Sequence, residues 1–328
     1  MKPPLKAIDR FIVPKGGKEM RRFFIALLLV CGVWTGNVHA AGLVEEVHPL
    51  TRNGIALFLQ SLRAAAFSGE KNILLVHGVA FSSHEFDVDH ADYSLSRWLA
   101  RQGYRVWTLD IAGFGRSGAV RDGFMPDSDY AAADINAAVD AILAASGQKR
   151  LDVLGWSWGT VTASRFAAQY PGKVRSLVLY APILAGLGKQ EVESPFVTAA
   201  WKGAHLDFRL LPDGSVDPAV TDLRVVELYT ANARRYDDHP IPNGGRRDLF
   251  VARDVRLVPA NALTMPVLLI LGDRDPYVDA ALAREAADGI PGSNRLEILS
   301  GGSHVLFLEK AHYQTFRKIV LDFLSRGP

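Results

Sequence analysis

"LDVLGWSWGTVTASRFAAQYPG", Leu151 to Gly172, decides the fold. An apolar run, Leu151 to Leu154, meets a helix-forming run from Thr160 with no loop between them. At the junction one serine stands between two glycines, in Gly155-Trp156-Ser157-Trp158-Gly159. A Gly-x-Ser-x-Gly pattern alone is weak, since chance supplies about 0.1 per chain of this length. Its place at a strand-to-helix corner is what makes it informative. A nucleophile there sits on strained backbone, and flanking glycines let neighbouring chain come close. The Trp158 N–H, at the helix start, is free to donate to a developing oxyanion. A plain glycine-rich turn is the alternative reading.

Outward from this corner, short apolar runs alternate with amphipathic stretches. "GIALFLQSLRA", "NILLVHG", "YRVWTLDIAG", "RSLVLYAPI", "PVLLILG" and "NRLEILSG" read as strands. "YSLSRWLARQG", "SDYAAADINAAVDAILAASG", "DAALAREAADG" and "LEKAHYQTFRKIVLDFLSRG" read as helices. Such alternation implies right-handed crossovers and an α/β fold with a mostly parallel central sheet flanked by helices. The rhythm breaks over 187–264, which carries six aromatics, several Pro/Gly turns and no strong strand. A segment that long is no plain loop. It predicts a helical lid inserted between a first core part, 41–186, and a second, 265–328.

A serine hydroxyl needs a base, and the base needs an orienting acid. "LLILGDRDPYV" puts Asp275 just past a strand end, with Asp273 as competitor, and the spacing from Gly272 favours Asp275. "LEILSGGSHVLFLEK" puts His304 in a Gly-rich loop after the last strand. The chain order is therefore Ser157, Asp275, His304.

With these motifs in hand, nearly all of the chain beyond the leader resembles the α/β-hydrolase family. Val76-His77-Gly78 resembles the family's oxyanion strand end, which implies that Val79 supplies a second backbone donor beside Trp158. Asp110 to Gly118 resembles the family's Asp-x-x-Gly-x-Gly-x-Ser turn, "GWSWG" its nucleophile elbow, and "GDRDPYV" with "GGSH" its acid and base loops. The resemblance implies a serine hydrolase with a Ser157–His304–Asp275 triad. It is far less specific for substrate.

Two competing motifs are weighed against this. Gly113 to Gly118 is a literal G-x-G-x-x-G, but the acid-tipped second strand of a dinucleotide site is missing. His84, Glu85, Asp87, Asp89 and His90 are metal-ligating types in one short stretch. The reading adopted is a solvated loop with Asp92 capping a helix at Tyr93, so neither a metal nor another cofactor is expected. For substrate, the aromatic lid suggests an apolar pocket. "YSLSRWLARQGYRVWTLD" resembles lipase-like members, and favours a small-molecule or lipid-like carboxylic ester. Trp156 and Trp158 resemble the elbow of proline iminopeptidase-like members, with Glu191 and Glu193 as candidate amine partners. A silent, ligand-binding relative is the third option, and a complete triad argues against it.

Charge is informative through its position. Lys and Arg number 37 and Asp and Glu 35, but seven of the basic and two of the acidic residues lie in 1–40. Beyond that leader stand 30 basic and 33 acidic residues, so no basic surface for nucleic acid is expected. The leader itself has Arg21-Arg22, a twelve-residue apolar run from Phe23 and small residues at Val38-His39-Ala40. That is the pattern of a cleavable export signal, and the run is too short to span a bilayer comfortably. Cleavage after Ala40 removes Cys31, the only cysteine, and leaves a periplasmic or secreted enzyme with no thiol and no membrane span.

Overall fold

The computed structural model describes residues 37–38, 42–67, 69 and 71–326. But for the backbone of 37–38, the expected export signal lies outside the described residues. Among the described residues no helix is long and apolar enough to cross a membrane.

The chain begins with a short strand β1 (Asn37–Val38), followed by β2 (Leu43–Arg52) and β3 (Ile55–Ala64). The latter two form an antiparallel hairpin paired from Leu43↔Ala64 to Arg52↔Ile55. Two residues close it, Asn53 and Gly54, with φ of 50° and 76°. Both central residues left-handed is the hairpin turn that Asn-Gly favours. Then come β4 (Asn72–Val76), helix α1 (Leu95–Arg101), β5 (Arg105–Asp110), α2 (Ser128–Ser146), β6 (Leu151–Trp156), α3 (Trp158–Gln169) and β7 (Val174–Tyr180). After an insertion, β10 (Val267–Gly272), α6 (Ala280–Gly289), β11 (Asn294–Leu299) and α7 (Tyr313–Ser325) complete the core. The insertion contains a two-residue strand pair, β8 (Phe196–Val197) with β9 (Ile241–Pro242), a 3₁₀ stretch over Ala200–Asp207, and helices α4 (Leu223–Asp237) and α5 (Gly244–Leu249).

The main sheet runs β1-β2-β3-β5-β4-β6-β7-β10-β11. Every pairing from β5 to β11 is parallel, and the hairpin edge is antiparallel. β4, β6 and β10 are buried along their whole length. That suits apolar runs covered by helices on both faces. One apolar cluster gathers α2, α3 and α6 on one face, with Val139, Phe166 and Leu269 among its members. The other gathers α1 and α7 on the opposite face, around Leu99, Trp156 and Phe316. The sheet's parallel strands point their C-terminal ends toward one rim, and the loops there carry Val79, Ser157, Asp275 and His304.

One strand was not read from the sequence, and two sequence expectations are corrected. The strand β2 is not legible as alternation, because Glu45-Glu46 and Pro49 interrupt it. Pro49 is tolerated because, among the described residues, β1 covers only Val44 and Glu45, which leaves the Pro49 part of β2 at an edge. The last helix starts at Tyr313, not near Leu308: Glu309 bridges to Thr221 of the insertion, and its carboxylate holds the Ser303 N–H and hydroxyl. The stretch from His84 to His90 is no solvated loop. His84 and Glu85 are buried, Asp92 binds Tyr313 and Arg317, and Ser94 caps α1 instead.

Candidate active site

The corner between β6 and α3 turns on one residue. Ser157 has φ 56° and ψ −123°, a conformation that a non-glycine residue adopts only under constraint. The constraint is local packing. A Cβ on Gly155 would lie 2.2 Å from the Gly159 carbonyl oxygen, and one on Gly159 would lie 2.3 Å from that of Val76. Strand, corner and helix start are therefore pressed together, and the serine side chain is pushed out of the turn. The Ser157 N–H is fixed by donating to the Tyr180 carbonyl at 3.0 Å.

The two indoles beside Ser157 go opposite ways. Trp158 is fully buried on the α2 side, where its Nε1 donates to the Ser128 hydroxyl at 2.9 Å. Trp156 lines the cavity above Ser157, and its Nε1 donates to the His304 carbonyl at 3.1 Å. The Tyr180 hydroxyl donates to the same carbonyl at 2.7 Å. The loop that carries the histidine is thus tied to the strand that carries the serine.

His304 and Asp275 meet: Nδ1 stands 2.7 Å from Oδ2, both side chains buried. A carboxylate only accepts, so Nδ1 holds the proton and Nε2 is left as the basic nitrogen. The other Asp275 oxygen accepts the Tyr277 N–H at 2.9 Å. Asp273, the competitor, is turned away and accepts the Gly301 N–H instead. Burial depresses the His304 pKa, but the charge and hydrogen bond of Asp275, with the charge of Asp207 added, outweigh it and leave a net rise. Ser157 and His304 line one cavity of about 350 Å³, and no hydrogen bond joins their side chains. Such bonds often tighten only when substrate arrives.

The backbone donors are in place. Among the described residues the N–H groups of Val79 and Trp158 donate to no protein acceptor; the latter is one of the orphan amides of a helix start. Val79 follows Gly78, which packs against the Ser157 side chain and donates its own N–H to Glu85 Oε1 at 2.7 Å. Glu85 is buried, and burial pushes its carboxyl well above the usual range, against the Gly78 bond. Motif reading singled this residue out only as a metal-ligating type; its hold on Gly78 depends on a contact seven residues back.

The remaining acids and histidines near His84 also hold loops together. His84 Nε2 donates to Asp237 Oδ2 at 2.6 Å, and Asp237 also takes the N–H groups of Ser82 and Gly115. Asp110 takes the N–H groups of Ser83 and Arg116. Of the G-x-G-x-x-G amides, those of Gly115 and Arg116 go to Asp237 and Asp110 and the other four to backbone carbonyls, so they are not offered to a pyrophosphate. Asp87 pairs with Arg97 and His90 with Asp222.

The cavity wall contributed by the insertion is mostly aliphatic: Leu187, Val197, Leu206 and Leu249. Of the six aromatics there, only Phe250 lines it; Phe208 and Tyr229 are buried elsewhere. Glu191 and Glu193 are exposed and outside it. Two charged residues that sequence did not single out are inside it, Asp207 and Arg246. The Tyr229 hydroxyl donates to Asp207 at 2.9 Å, and burial raises the Asp207 pKa against that bond and the nearby positive charges.

An α/β sheet with a strained serine at a strand-to-helix elbow, an acid-backed histidine and two idle amides defines an α/β-hydrolase. The model of the family described as "Serine aminopeptidase, S33" matches residues 68–311, and the chain belongs to this family of esterase- and lipase-like α/β-hydrolases. Among curated proteins it is 27% identical over 258 residues to a monoacylglycerol lipase of Mycolicibacterium smegmatis, covering 76% of this chain and 85% of that one. It is 26% identical over 266 residues to a pimeloyl-[acyl-carrier protein] methyl ester esterase of Neisseria meningitidis, covering 78% and 94%. Among solved structures, an esterase from Exiguobacterium antarcticum superposes with a TM-score of 0.61 at 17% identity, over 84% of this chain and 98% of that one.

Proposed function

We propose that this chain is an exported serine hydrolase that cleaves carboxylic esters of small or lipid-like molecules through an acyl-enzyme on Ser157. The observation that carries the reading is the His304–Asp275 pair at 2.7 Å over the same cavity as a Ser157 held at φ 56°. His304 Nε2 takes the Ser157 proton as Oγ bonds to the ester carbonyl carbon. The Val79 and Trp158 N–H groups receive the oxyanion. On collapse the ester C–O bond breaks, and His304 gives its proton to the leaving alkoxide. Water, deprotonated by the same nitrogen, then releases the carboxylic acid and restores Ser157. The insertion 187–264 acts as the lid, since it supplies one wall of the cavity. The names of the lipase and methyl ester esterase relatives support an ester substrate.

Ser157→Ala is expected to abolish hydrolysis of p-nitrophenyl esters and labelling by a fluorophosphonate, with the melting temperature kept. Persistent wild-type turnover in that variant would sink the assignment. Export rests on the leader alone, and intact mass of protein recovered outside the cytoplasm tests it; a mass retaining residues 1–40 would overturn cleavage. Aminopeptidase action is the second reading, favoured by the acids Glu85 and Asp207 in the cavity. The positive charge of Arg246 in the same space weighs against a cationic amine. A panel of aminoacyl p-nitroanilides beside the esters decides between them.

A further inference from the structure

Arg246 is a positive charge with no ion pair among the described residues. It lies in α5 and lines the cavity with Ser157 and His304. Its Nη1 donates to Asn243 Oδ1 at 3.0 Å. Among the described residues Nε and Nη2 make no hydrogen bond, and no carboxylate comes within ion-pair distance of the guanidinium. Burial lowers its pKa, against the charge of Asp207, which lines the same cavity but forms no ion pair with it. Taking a guanidinium from water is costly unless an anion answers it.

The residue that aims it is itself locked. Asn243 is buried, donates its backbone N–H to the carbonyls of Gly123 and Pro195, and gives its Nδ2 to that of Ser194 at 3.0 Å. Those bonds leave Oδ1 to hold one arm of Arg246. The guanidinium is thus fixed by one nitrogen and presents its other donors to the cavity, the fork geometry that suits a carboxylate. The two acids of the cavity are already engaged: Glu85 accepts the Gly78 N–H, with burial pushing its carboxyl well above the usual range, and Asp207 accepts the Tyr229 hydroxyl.

Resting on the ester-hydrolase reading, we infer that the substrate carries an anionic carboxylate besides the ester to be cut, and that Arg246 receives it. The rest of the wall is aliphatic, so the stretch between carboxylate and ester is a hydrocarbon spacer. A monoester of a dicarboxylic acid has this form, as does an ester whose alcohol part bears the carboxylate.

The test compares kcat/KM for p-nitrophenyl monoesters of the diacids from succinic to suberic with p-nitrophenyl alkanoates of matched length. A second arm compares 4-acetoxybenzoate with 4-acetoxybenzamide and reads a carboxylate on the leaving group. At the fitting length, or in the second arm, the anionic ester is expected to lead by on the order of 10- to 100-fold, chiefly through KM. Arg246→Gln is expected to collapse that ratio, Arg246→Lys to retain part of it, and Arg247→Gln, on the exposed neighbour, to leave it standing. Calorimetric titration with the free diacids reads the same site without turnover, and binding is expected in the wild type and lost in R246Q. Equal or lower kcat/KM for the anionic esters in both arms, or a ratio unmoved in R246Q, would overturn the inference. Loss of all ester turnover and of fluorophosphonate labelling in the wild type would instead overturn the ester-hydrolase reading, and the titration would still decide the anion site.

Discussion

His304 stands between two acids that act on it differently. Asp275 touches it and fixes its tautomer; Asp207, from the insertion, acts only through its charge. Both raise its pKa against burial, so the base is protonated at a pH where an ordinary histidine, at 6.5, is already half neutral. Under the proposed mechanism, turnover needs neutral His304. The acid limb of the kcat/KM profile is therefore expected above pH 6.5 and falls as protons add. Asp207→Asn removes one of the raising charges and is expected to move that limb to lower pH, with activity on the alkaline plateau retained. A limb that does not move in a profile on p-nitrophenyl acetate would rule out Asp207 as part of the field. At this scale the sequence was most legible at Ser157, Asp275 and His304, because each sits where a strand ends and chain order is fixed. It was silent on Asp207 and Arg246, and it noticed Glu85 only as a metal-ligating type. Nothing in the spacing of a lid or loop residue says which way its side chain turns.

The element that brings the insertion and the Ser157 elbow together is α5. It is only six residues long, starts Gly244-Gly245, and lies against the elbow. A Cβ on Gly245 would come within 2.6 Å of the Trp158 ring and 3.0 Å of Val79 Cγ2. That explains why so poor a helix former stands there: side-chain-free backbone is what lets α5 rest on Trp158 and Val79, the proposed oxyanion donors. Gly245→Ala is expected to cost about 1–3 kcal/mol of stability by overpacking. It is also expected to slow fluorophosphonate labelling, because Val79 must move with the clash. Gly172→Ala, with open space around its Cβ, is the control and should stay within about 0.5 kcal/mol of wild type. Thermal unfolding and labelling rates read both; unchanged labelling in G245A would separate α5 from the oxyanion loop. Helices with strong periodicity and caps, such as α2 with Asp127 before it and Gly147 after it, were legible in sequence. α5 was not, since its existence depends on a tertiary seat and not on propensity.

At the scale of the whole molecule, the antiparallel hairpin of β2 and β3 extends the parallel sheet past β5. His48 on β2 is buried there, its ring 4.4 Å from that of Trp107 on β5 and its Nε2 2.9 Å from the Ser61 hydroxyl. Burial first, and the charge of Arg105 second, lower its pKa from 6.5 to about 4, with Glu46 opposing. The sign follows from linkage. The unfolded chain takes up the proton near pH 6.5 and the folded chain resists it until about pH 4, so this histidine contributes stability above 6.5 that is lost as pH falls between the two. From about pH 7.5 to about pH 5 the loss amounts to roughly 2 kcal/mol. Asp152, pushed up to about 6 chiefly by burial, works the other way and stabilises as pH falls through the same range. The wild-type curve is thus a sum of opposed contributions, and a variant difference isolates one of them. His48→Gln keeps a donor near Ser61 but cannot titrate. Its urea-unfolding free energy relative to wild type is expected to improve by roughly 2 kcal/mol between the two pH values. A difference that stays constant with pH would mean that His48 is protonated in the folded hairpin, and that the edge of the sheet is wetter than its burial implies.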